Sequence, residues 1–296
     1  MGIAKIAYSL LAELKKDYPN LSGSLLQLGR QAVRVNASQA LGILKQFDIK
    51  PSIDLNSRDK SNINDITLFK SLGFESVESM DFSDYEKSTH IHDFNHPVPE
   101  QFHEKYDVIY DGGTTEHIFD FPASLRNIYK MLKVGGIIIH NVPANNYIEH
   151  GFYCFSPTVF YDYYSVNGFE ILQSYVFQIN LSSNKCFVFE YTPEKSYSIP
   201  SNGEILIWFV ARKVDGSTCG VIPQQGTYVQ AWSKSEASAS ALQQSEVGVS
   251  HPYTFMSRLK ESVRNSQFLY SLLLPPAKLF GIANHKSPII ATYDYE

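Results

Sequence analysis

The sequence is poor in cysteine, and the few cysteines it has lie far apart. Its 296 residues contain three, Cys154, Cys186 and Cys219. An odd, scattered set does not form a disulfide framework and is typical of reduced thiols in the cytosol. We therefore predict a cytoplasmic protein whose cysteines serve packing.

The sequence also lacks an excess of positive charge and long apolar runs. Its formal net charge is −5, and its lysines and arginines are scattered. A nucleic-acid-binding surface usually shows clustered basic residues. A membrane-spanning helix needs roughly 20 consecutive apolar residues, and no such run occurs. We expect neither a nucleic-acid partner nor a membrane partner.

What the sequence does have is a regular alternation of strand and helix patterns. A helix between two strands indicates parallel pairing, because a parallel crossover needs a long connection. The pattern predicts an α/β fold with a doubly wound, mostly parallel, Rossmann-like sheet. The predicted parallel strands are 24–28, 76–80, 89–93, 107–110 and 137–141.

The pattern changes after residue 168. Three β-rich stretches follow with no helix between them, which predicts an antiparallel edge pair. The α/β domain, with its N-terminal helix, is predicted to span residues 1–215. Residues 216–250 are rich in Ser, Gln, Ala and Gly and predict a flexible linker. Residues 251–296 predict a partly helical C-terminal extension that docks on the domain, on a second copy to give a homo-oligomer, or on another partner.

Polar or glycine residues follow every predicted parallel strand. Ligands of open α/β sheets bind beyond the carboxyl ends of the strands. The candidates, in chain order, are Gly29, Arg30, Asp81, Phe82, Asp93, Phe94, Asp111, Gly112, Gly113 and Asn141.

The order of these groups carries a family resemblance. An acidic residue follows the second strand, an Asp and an aromatic follow the third, Glu116-His117 follows the fourth, and LKVGGIIIH leads into the fifth. Over roughly residues 20 to 215 the chain resembles a class I S-adenosylmethionine-dependent methyltransferase. The resemblance implies S-adenosyl-L-methionine as cofactor and methyl transfer to O or N of a small-molecule or carbohydrate-like acceptor.

The resemblance also implies roles for the cofactor residues. Asp81 would accept hydrogen bonds from both ribose hydroxyls, which a carboxylate does better than a neutral group. Phe82 would lie against the adenine, and Asp93 would accept from the adenine amino group with Phe94 beside it. Asp111 would line the same site, and the two glycines after it would let the backbone approach the methionine half.

The first loop departs from the family pattern. LQLGRQAVRV keeps a single glycine, Gly29, where several are usual. Arg30 would contact the cofactor carboxylate or be a surface cation, and Gln31 stands where a small residue is expected. This loop leaves an alternative function open: a catalytically inactive, methyltransferase-like binding or scaffold protein.

The acceptor side is predicted from the fourth and fifth strands. His117 is the first candidate for a general base and His150 the second, because imidazole titrates near neutral pH. Glu116, Asn141 and Tyr153 are predicted to bind substrate. The alternative for Glu116 and His117 is that they only shape the pocket, and the alternative for His150 and Tyr153 is that they are packed loop residues.

Three histidines, close together in the sequence, raise the possibility of a metal site. Alternate residues of a strand face the same side, so His90 and His92 could converge, with His96 nearby. No third ligand stands at a standard spacing. The sequence therefore predicts no metal.

Overall fold

The computed structural model describes residues 2–55, 63–180, 183–193, 203–229, 231–233 and 289–294. Within them the strands form one sheet, in the order β3-β2-β1-β4-β5-β8-β6-β7-β9. The strand bounds are β1 Gly23–Leu28, β2 Phe74–Asp81, β3 His90–Ile91, β4 Tyr106–Asp111, β5 Leu132–Asn145, β6 Glu170–Asn180, β7 Lys185–Glu190, β8 Glu204–Arg212 and β9 Ile289–Asp294.

The first five strands are parallel, and the rest of the sheet is antiparallel. β1 pairs with β2 and β4, β2 with β3, and β4 with β5, all in parallel. β8 runs antiparallel between β5 and β6. The predicted doubly wound, mostly parallel sheet with antiparallel strands is thus confirmed.

The antiparallel part is larger than the predicted edge pair. β7 pairs with β6 on one side and with β9 on the other. β9 comes from residues 289–294, a segment that the sequence placed in the C-terminal extension. Its pairing is non-local, and short strands of this kind leave little signal in the local sequence.

Helices connect the parallel strands, and their ends follow the capping residues. Asp120 accepts a hydrogen bond from the Ala123 amide at the start of α4, and Ser156 caps α5. Asn36 and Gln39 form a reciprocal capping box on α2. The helix bounds are α1 Lys5–Asp17, α2 Ala37–Gln46, α3 Asp65–Ser71, α4 Phe121–Met131 and α5 Pro157–Val166, with short 3₁₀ turns at Glu100–Phe102 and Thr115–His117.

The central strands are buried on both faces. Leu25 and Tyr110 belong to the core under α1, α2 and α3, whereas their neighbours Leu26 and Ile109 belong to the core under α4 and α5. This alternation is the two-residue period of a strand. With both faces covered by helices, ligands have access to the sheet at its ends.

The chain divides into two compact units. The first comprises residues 1–193, 200–226 and 288–296, and the second comprises 194–199 and 227–287. The start of the predicted linker packs within the first unit, where the Asn167 side chain bonds both the amide and the carbonyl of Val221. In the second unit the described residues include Tyr228 and Trp232, whose rings stack at 6.1 Å.

The rest of the predicted extension, residues 251–288, lies outside the described residues, and so does the predicted homo-oligomer contact. None of the helices in the described ranges is long and apolar enough to cross a membrane.

Candidate functional site

The order in which the chain adds strands to the sheet reverses between β1 and β4. β1 and β4 are neighbours, with Leu28 opposite Asp111, yet the chain continues from β1 towards β2 and from β4 towards β5. Connections that leave two adjacent strands in opposite directions open a crevice at their carboxyl ends. Gly29 ends β1 there with a φ of +67°, a conformation that favours glycine.

Asp81 lies at this crevice, as predicted. A Cβ at Gly29 would lie 2.9 Å from Thr114 Oγ1 and 3.6 Å from Asp81 Oδ2. The other carboxylate oxygen of Asp81 accepts from the Phe82 amide at 2.7 Å. The Phe82 ring is 72% exposed at the rim. The Asp81 carboxylate thus lies beside Gly29, and the exposed Phe82 ring follows it in the chain. The contact of Asp81 with a ribose and that of Phe82 with an adenine stay predictions.

Arg30 has a different partner from the predicted one. Its Nε and Nη2 each donate to Asp65 at 2.7 Å, in a two-pronged ion pair with a carboxylate that is buried. A bidentate pair of this kind fixes the guanidinium firmly. Asp65 thus holds Arg30, and the predicted contact of Arg30 with a cofactor carboxylate stays a prediction.

Gln31 fills part of the crevice. Its Nε2 donates to the Leu28 carbonyl at 3.1 Å, and its Oε1 is the nearest atom to a Cβ built at Gly112. Gly112 is thus needed to make room for Gln31. Gly113 has a φ of +99° and turns the chain towards the next residues. The predicted approach of both glycines to a methionine half stays a prediction.

The pair after β3 makes internal contacts. Phe94 is 4% exposed and packs in the core under α4 and α5. Asp93 Oδ1 accepts from the backbone and side-chain nitrogens of Asn95, and these bonds hold the Asp93 pKa below its ordinary value. The Phe94 ring thus serves the core and Asp93 caps its own turn, while the predicted contact of this pair with an adenine stays a prediction.

Asp111 is held by internal hydrogen bonds. It is fully buried, its Oδ2 accepts from Thr115 Oγ1 at 2.6 Å, and His140 Nδ1 lies 2.7 Å away. The amide of Thr114 donates to Oδ1 at 3.0 Å. Burial raises the Asp111 pKa, but the hydrogen bonds, that from His140 foremost, outweigh burial and lower it. These contacts give Asp111 a structural role, and its predicted part in a cofactor site stays a prediction.

His140 is a buried residue whose role the sequence did not show. Its second ring nitrogen, Nε2, lies 2.8 Å from the Tyr164 hydroxyl. The signal in the sequence was a histidine at the end of the apolar run GGIIIH. A histidine buried in a β-strand requires a polar partner, and Asp111 at the end of the neighbouring strand provides it.

The next acidic residue, Glu116, has the opposite environment. It is fully buried, and among the described residues neither of its carboxylate oxygens has a hydrogen-bond partner. Burial raises its pKa to about 8, and the negative charge of Asp111 adds to the shift. A buried, unpartnered carboxylate is costly and calls for a physical explanation.

His117 and His150 lie beside this carboxylate. Glu116 Oε1 is 3.5 Å from His150 Nε2 and 3.9 Å from His117 Nε2, and the two imidazole rings are 5.2 Å apart. Burial lowers the pKa of both histidines. The sequence predicted these three residues separately, and the structure brings them together. We call them the Glu-His-His cluster.

The backbone explains how the loop after β5 reaches the turn after β4. The Glu116 carbonyl accepts from the amides of Phe152 and Tyr153 at 2.9 and 3.2 Å. A Cβ at Gly151 would lie 2.9 Å from that same carbonyl. Gly151 therefore permits the close approach, and the approach places His150 against Glu116.

A cavity of about 450 Å³ opens beside the cluster. Its lining includes His150, Asn141, Tyr147, Arg34 and Glu204. Asn141 donates to the Tyr110 hydroxyl at 3.3 Å, while its own Oδ1 is buried without a partner among the described residues. Asn141 thus lines a cavity of suitable size, and its contact with an acceptor stays a prediction.

Tyr153 is placed differently from Asn141. Its hydroxyl donates to the Phe119 carbonyl at 2.7 Å, and Tyr153 is not among the residues that line the cavity. Tyr153 thus makes a loop-packing contact, and its predicted contact with a substrate stays a prediction.

The side chains of His90, His92 and His96 do not converge on one point. His90 Nε2 lies 2.8 Å from Glu78 Oε2, and His92 Nε2 lies 3.1 Å from the His96 carbonyl. β3 is two residues long, so His92 is already outside the strand. The alternation on which the convergence depended is absent there.

Comparisons with known proteins give matches in structure but not in sequence. No protein-family model and no curated protein matches the chain. Among solved structures, a 1,6-didemethyltoxoflavin-N1-methyltransferase from Burkholderia thailandensis, solved with S-adenosylhomocysteine, is 12% identical with a TM-score of 0.37; the match covers 71% of this chain and 79% of that one.

Two further matches are S-adenosylmethionine-dependent methyltransferases. The protein from Archaeoglobus fulgidus is 12% identical with a TM-score of 0.35, over 70% of this chain and 94% of that one. The protein from Thermotoga maritima is 16% identical with a TM-score of 0.34, over 70% and 90%. At these values the likeness concerns the fold, and the chemistry has to be argued from this chain's own residues.

Proposed function

We propose that this chain, whose sheet has its switch point between β1 and β4, is an S-adenosylmethionine-dependent methyltransferase acting on O or N of a small-molecule or carbohydrate-like acceptor. One observation carries the proposal. The carboxyl edge of the sheet has two halves, a glycine flanked by Asp81 and a cavity lined by His150, and residues of the turn after β4 contact both Gly29, through Thr114, and His150, through Glu116.

The first half suits the adenosine end of the cofactor. Asp81 Oδ2 faces Gly29 and can accept from a diol. Phe82 stands exposed on the same rim and offers a face on which a purine can stack. The atoms nearest to Gly29 are side-chain ends of Thr114 and Asp81 rather than backbone, so this opening can widen by side-chain rotation.

The second half suits the acceptor. A cavity of about 450 Å³ is of the size that holds a small ligand. Asn141 offers an amide oxygen without a partner, and Arg34 and Glu204 add charged groups that can bind hydroxyls. His150 lines the cavity, with Glu116 and His117 beside it, so loss of the acceptor proton can be assisted on this side of the cavity.

The bound cofactor supplies a methyl group on a sulfonium sulfur, and the protein supplies alignment. Holding both reactants in one geometry converts a bimolecular reaction into an effectively unimolecular one. The chain's own contribution is therefore the fixed spacing between the Asp81 side and the cavity side. The turn after β4 sets this spacing through the internal hydrogen bonds of Asp111.

Two contacts favour a second candidate, an inactive binding or scaffold protein. Asp65 holds Arg30, and Gln31 lies against Gly112 where the methionine half would approach. If these side chains do not move, the crevice admits no cofactor.

Titration calorimetry with S-adenosylmethionine and S-adenosylhomocysteine separates the two candidates. We expect both to bind the wild-type protein. The Asp81→Ala variant should bind at least about tenfold more weakly, because a hydrogen bond to a charged group contributes about 1.5 to 3 kcal/mol. Asp84→Ala, the same change at an exposed acid of the same loop, is the matched control and should bind as the wild type does.

Two results would count against the proposal. A folded wild-type protein that binds neither compound would overturn the enzyme and support the scaffold. Equal affinities of the Asp81→Ala and Asp84→Ala variants would remove Asp81 from the site.

A further inference from the structure

We propose that the Glu-His-His cluster, Glu116, His117 and His150, binds a divalent transition-metal ion such as Zn²⁺, and that this ion holds the acceptor atom at the cavity. The metal site stands on the cluster alone. Its role towards the acceptor rests on the proposed methyltransferase function.

The first argument is the set of unpartnered atoms. Both oxygens of Glu116 and Nε2 of His150 are buried without a hydrogen-bond partner among the described residues. Buried polar atoms in native proteins nearly always have partners, and an exception points to an absent ion or water. Three such atoms lie close together here, and two of them belong to one carboxylate. A bound cation would give these atoms the partner that the described residues do not provide.

The second argument comes from the other buried carboxylates nearby. Asp111 accepts from Thr114 and Thr115 and contacts His140, and Asp65 is paired with Arg30. The fold therefore satisfies buried acids where they are structural. Glu116, five residues after Asp111, is left open next to two imidazoles.

The third argument is the spacing of the ligand atoms. One oxygen of Glu116 and one nitrogen from each histidine lie within 4.8 Å of one another. Metal–ligand distances of about 2.0 to 2.2 Å place ligand atoms about 3 to 3.5 Å apart on a common ion. The contraction is small, and the histidine side chains, 46% and 28% exposed, have room to make it.

The backbone holds the three ligands in place for this. The Glu116 carbonyl accepts from the amides of Phe152 and Tyr153, the His117 amide donates to the Thr114 carbonyl, and the His150 amide donates to the Tyr147 carbonyl. Ligands on a fixed backbone lose little entropy when the ion binds.

The ligand types select the ion. Two imidazoles and one carboxylate suit Zn²⁺ and similar transition ions, whereas Mg²⁺ and Ca²⁺ prefer oxygen ligands throughout. Three protein ligands leave at least one coordination position open, and His150 lines the cavity, so that position is available to an acceptor.

An ion there would assist transfer by favouring loss of the acceptor proton. In the reaction the carbon–sulfur bond of the sulfonium breaks and a carbon–oxygen or carbon–nitrogen bond to the acceptor forms. The acceptor proton passes to water, and the cofactor leaves as the uncharged thioether S-adenosylhomocysteine.

The test is metal titration of the full chain after treatment with a chelator and its removal, with no cofactor present. By calorimetry we expect one equivalent of Zn²⁺ to bind and Mg²⁺ to give no heat at the same concentrations. His117→Ala and Glu116→Gln should each weaken Zn²⁺ binding at least about tenfold, since even outer-sphere partners of a metal matter by 10- to 100-fold. Circular dichroism confirms that each variant is folded.

The matched control is His96→Ala. His96 is exposed and lies outside the cluster, so its loss should leave Zn²⁺ affinity unchanged. Absence of Zn²⁺ binding to the wild type would overturn the proposal, as would variants of His117 and Glu116 that bind as the wild type does. A loss caused equally by His96→Ala would indicate scattered surface histidines and also overturn it.

The metal site and the proposed function can fail separately. Zn²⁺ binding without binding of S-adenosylhomocysteine keeps the site and removes its role in methyl transfer. If a Glu116→Gln variant binds S-adenosylhomocysteine as the wild type does but no longer binds Zn²⁺, both stand.

Discussion

Two carboxylates at opposite ends of β4 differ in whether they have hydrogen-bond partners. Asp107, near the start of the strand, accepts from the Ser24 amide at 2.8 Å, from the Ser24 hydroxyl at 2.7 Å and from Lys133 Nζ at 2.9 Å. Glu116, just after the end of the strand, accepts no hydrogen bond from any described residue. The presence of a cavity does not explain why one carboxylate has partners and the other has none, because a cavity of about 470 Å³ at the amino end of β4 includes Asp107 in its lining.

The pKa values express the same contrast. Burial raises the pKa of Asp107, but bonds from Ser24 and Lys133 outweigh it and lower the value. Burial raises the pKa of Glu116 to about 8, and no hydrogen bond from another residue opposes it. We conclude that a carboxylate with hydrogen-bond partners stabilises the sheet, whereas a buried carboxylate without such partners marks the place where a ligand is expected.

The largest expected effect concerns the paired acid next to the open one. Asp111→Ala should lower the free energy of unfolding by about 3 to 5 kcal/mol, because it leaves His140 and Thr115 buried without their partner. Urea denaturation measures this. If Asp111→Ala lowered the free energy of unfolding by less than Asp107→Ala does, the distinction between a fully buried pair and a partly exposed pair would not hold.

Glu116→Met should act in the opposite direction. In chelator-treated protein we expect the free energy of unfolding to rise by about 1 to 3 kcal/mol, because a buried polar group without partners is replaced by an apolar one of similar size. The same denaturation experiment with added Zn²⁺ is the control and should stabilise the wild type but not the variant. A destabilised variant in the absence of metal would show that the carboxylate has a partner after all.

The smallest effect is expected for Asp107→Ala. The Asp107 side chain is 36% exposed, so solvent screening limits the loss to about 1 kcal/mol. Because the folded pKa lies below the unfolded value, this contribution is present above the ordinary carboxyl pKa and fades as pH falls below it. The difference between wild type and variant should therefore shrink from pH 7 to pH 3, and a difference that grows would contradict the assigned pairing.

Much of the fold could be predicted from the sequence, because it depends on local signals. The caps at Asp120 and Ser156 and the strand and helix alternation all appear within a few residues of each other. The last strand could not be found, because β9 is defined by pairing with β7 far away in the chain.

The sequence indicates which residues gather near the site, but not how these residues are arranged in space. The sequence predicts His117 and His150 as alternative bases, yet their meeting at Glu116 depends on how Gly151 lets one loop dock on another. Likewise, the sequence does not indicate that Arg30 pairs with Asp65, because Asp65 lies in a distant helix. Non-local pairings of this kind leave no periodic trace in a single sequence.

The most direct measurement is an anomalous-difference map, collected at the zinc absorption edge from crystals of the chelator-treated protein soaked in Zn²⁺. The account predicts one strong peak about 2.0 to 2.2 Å from a Glu116 oxygen and from a ring nitrogen of His117 and of His150. A map without a peak there, and with the Glu116 carboxylate hydrogen-bonded directly to His150, would contradict it.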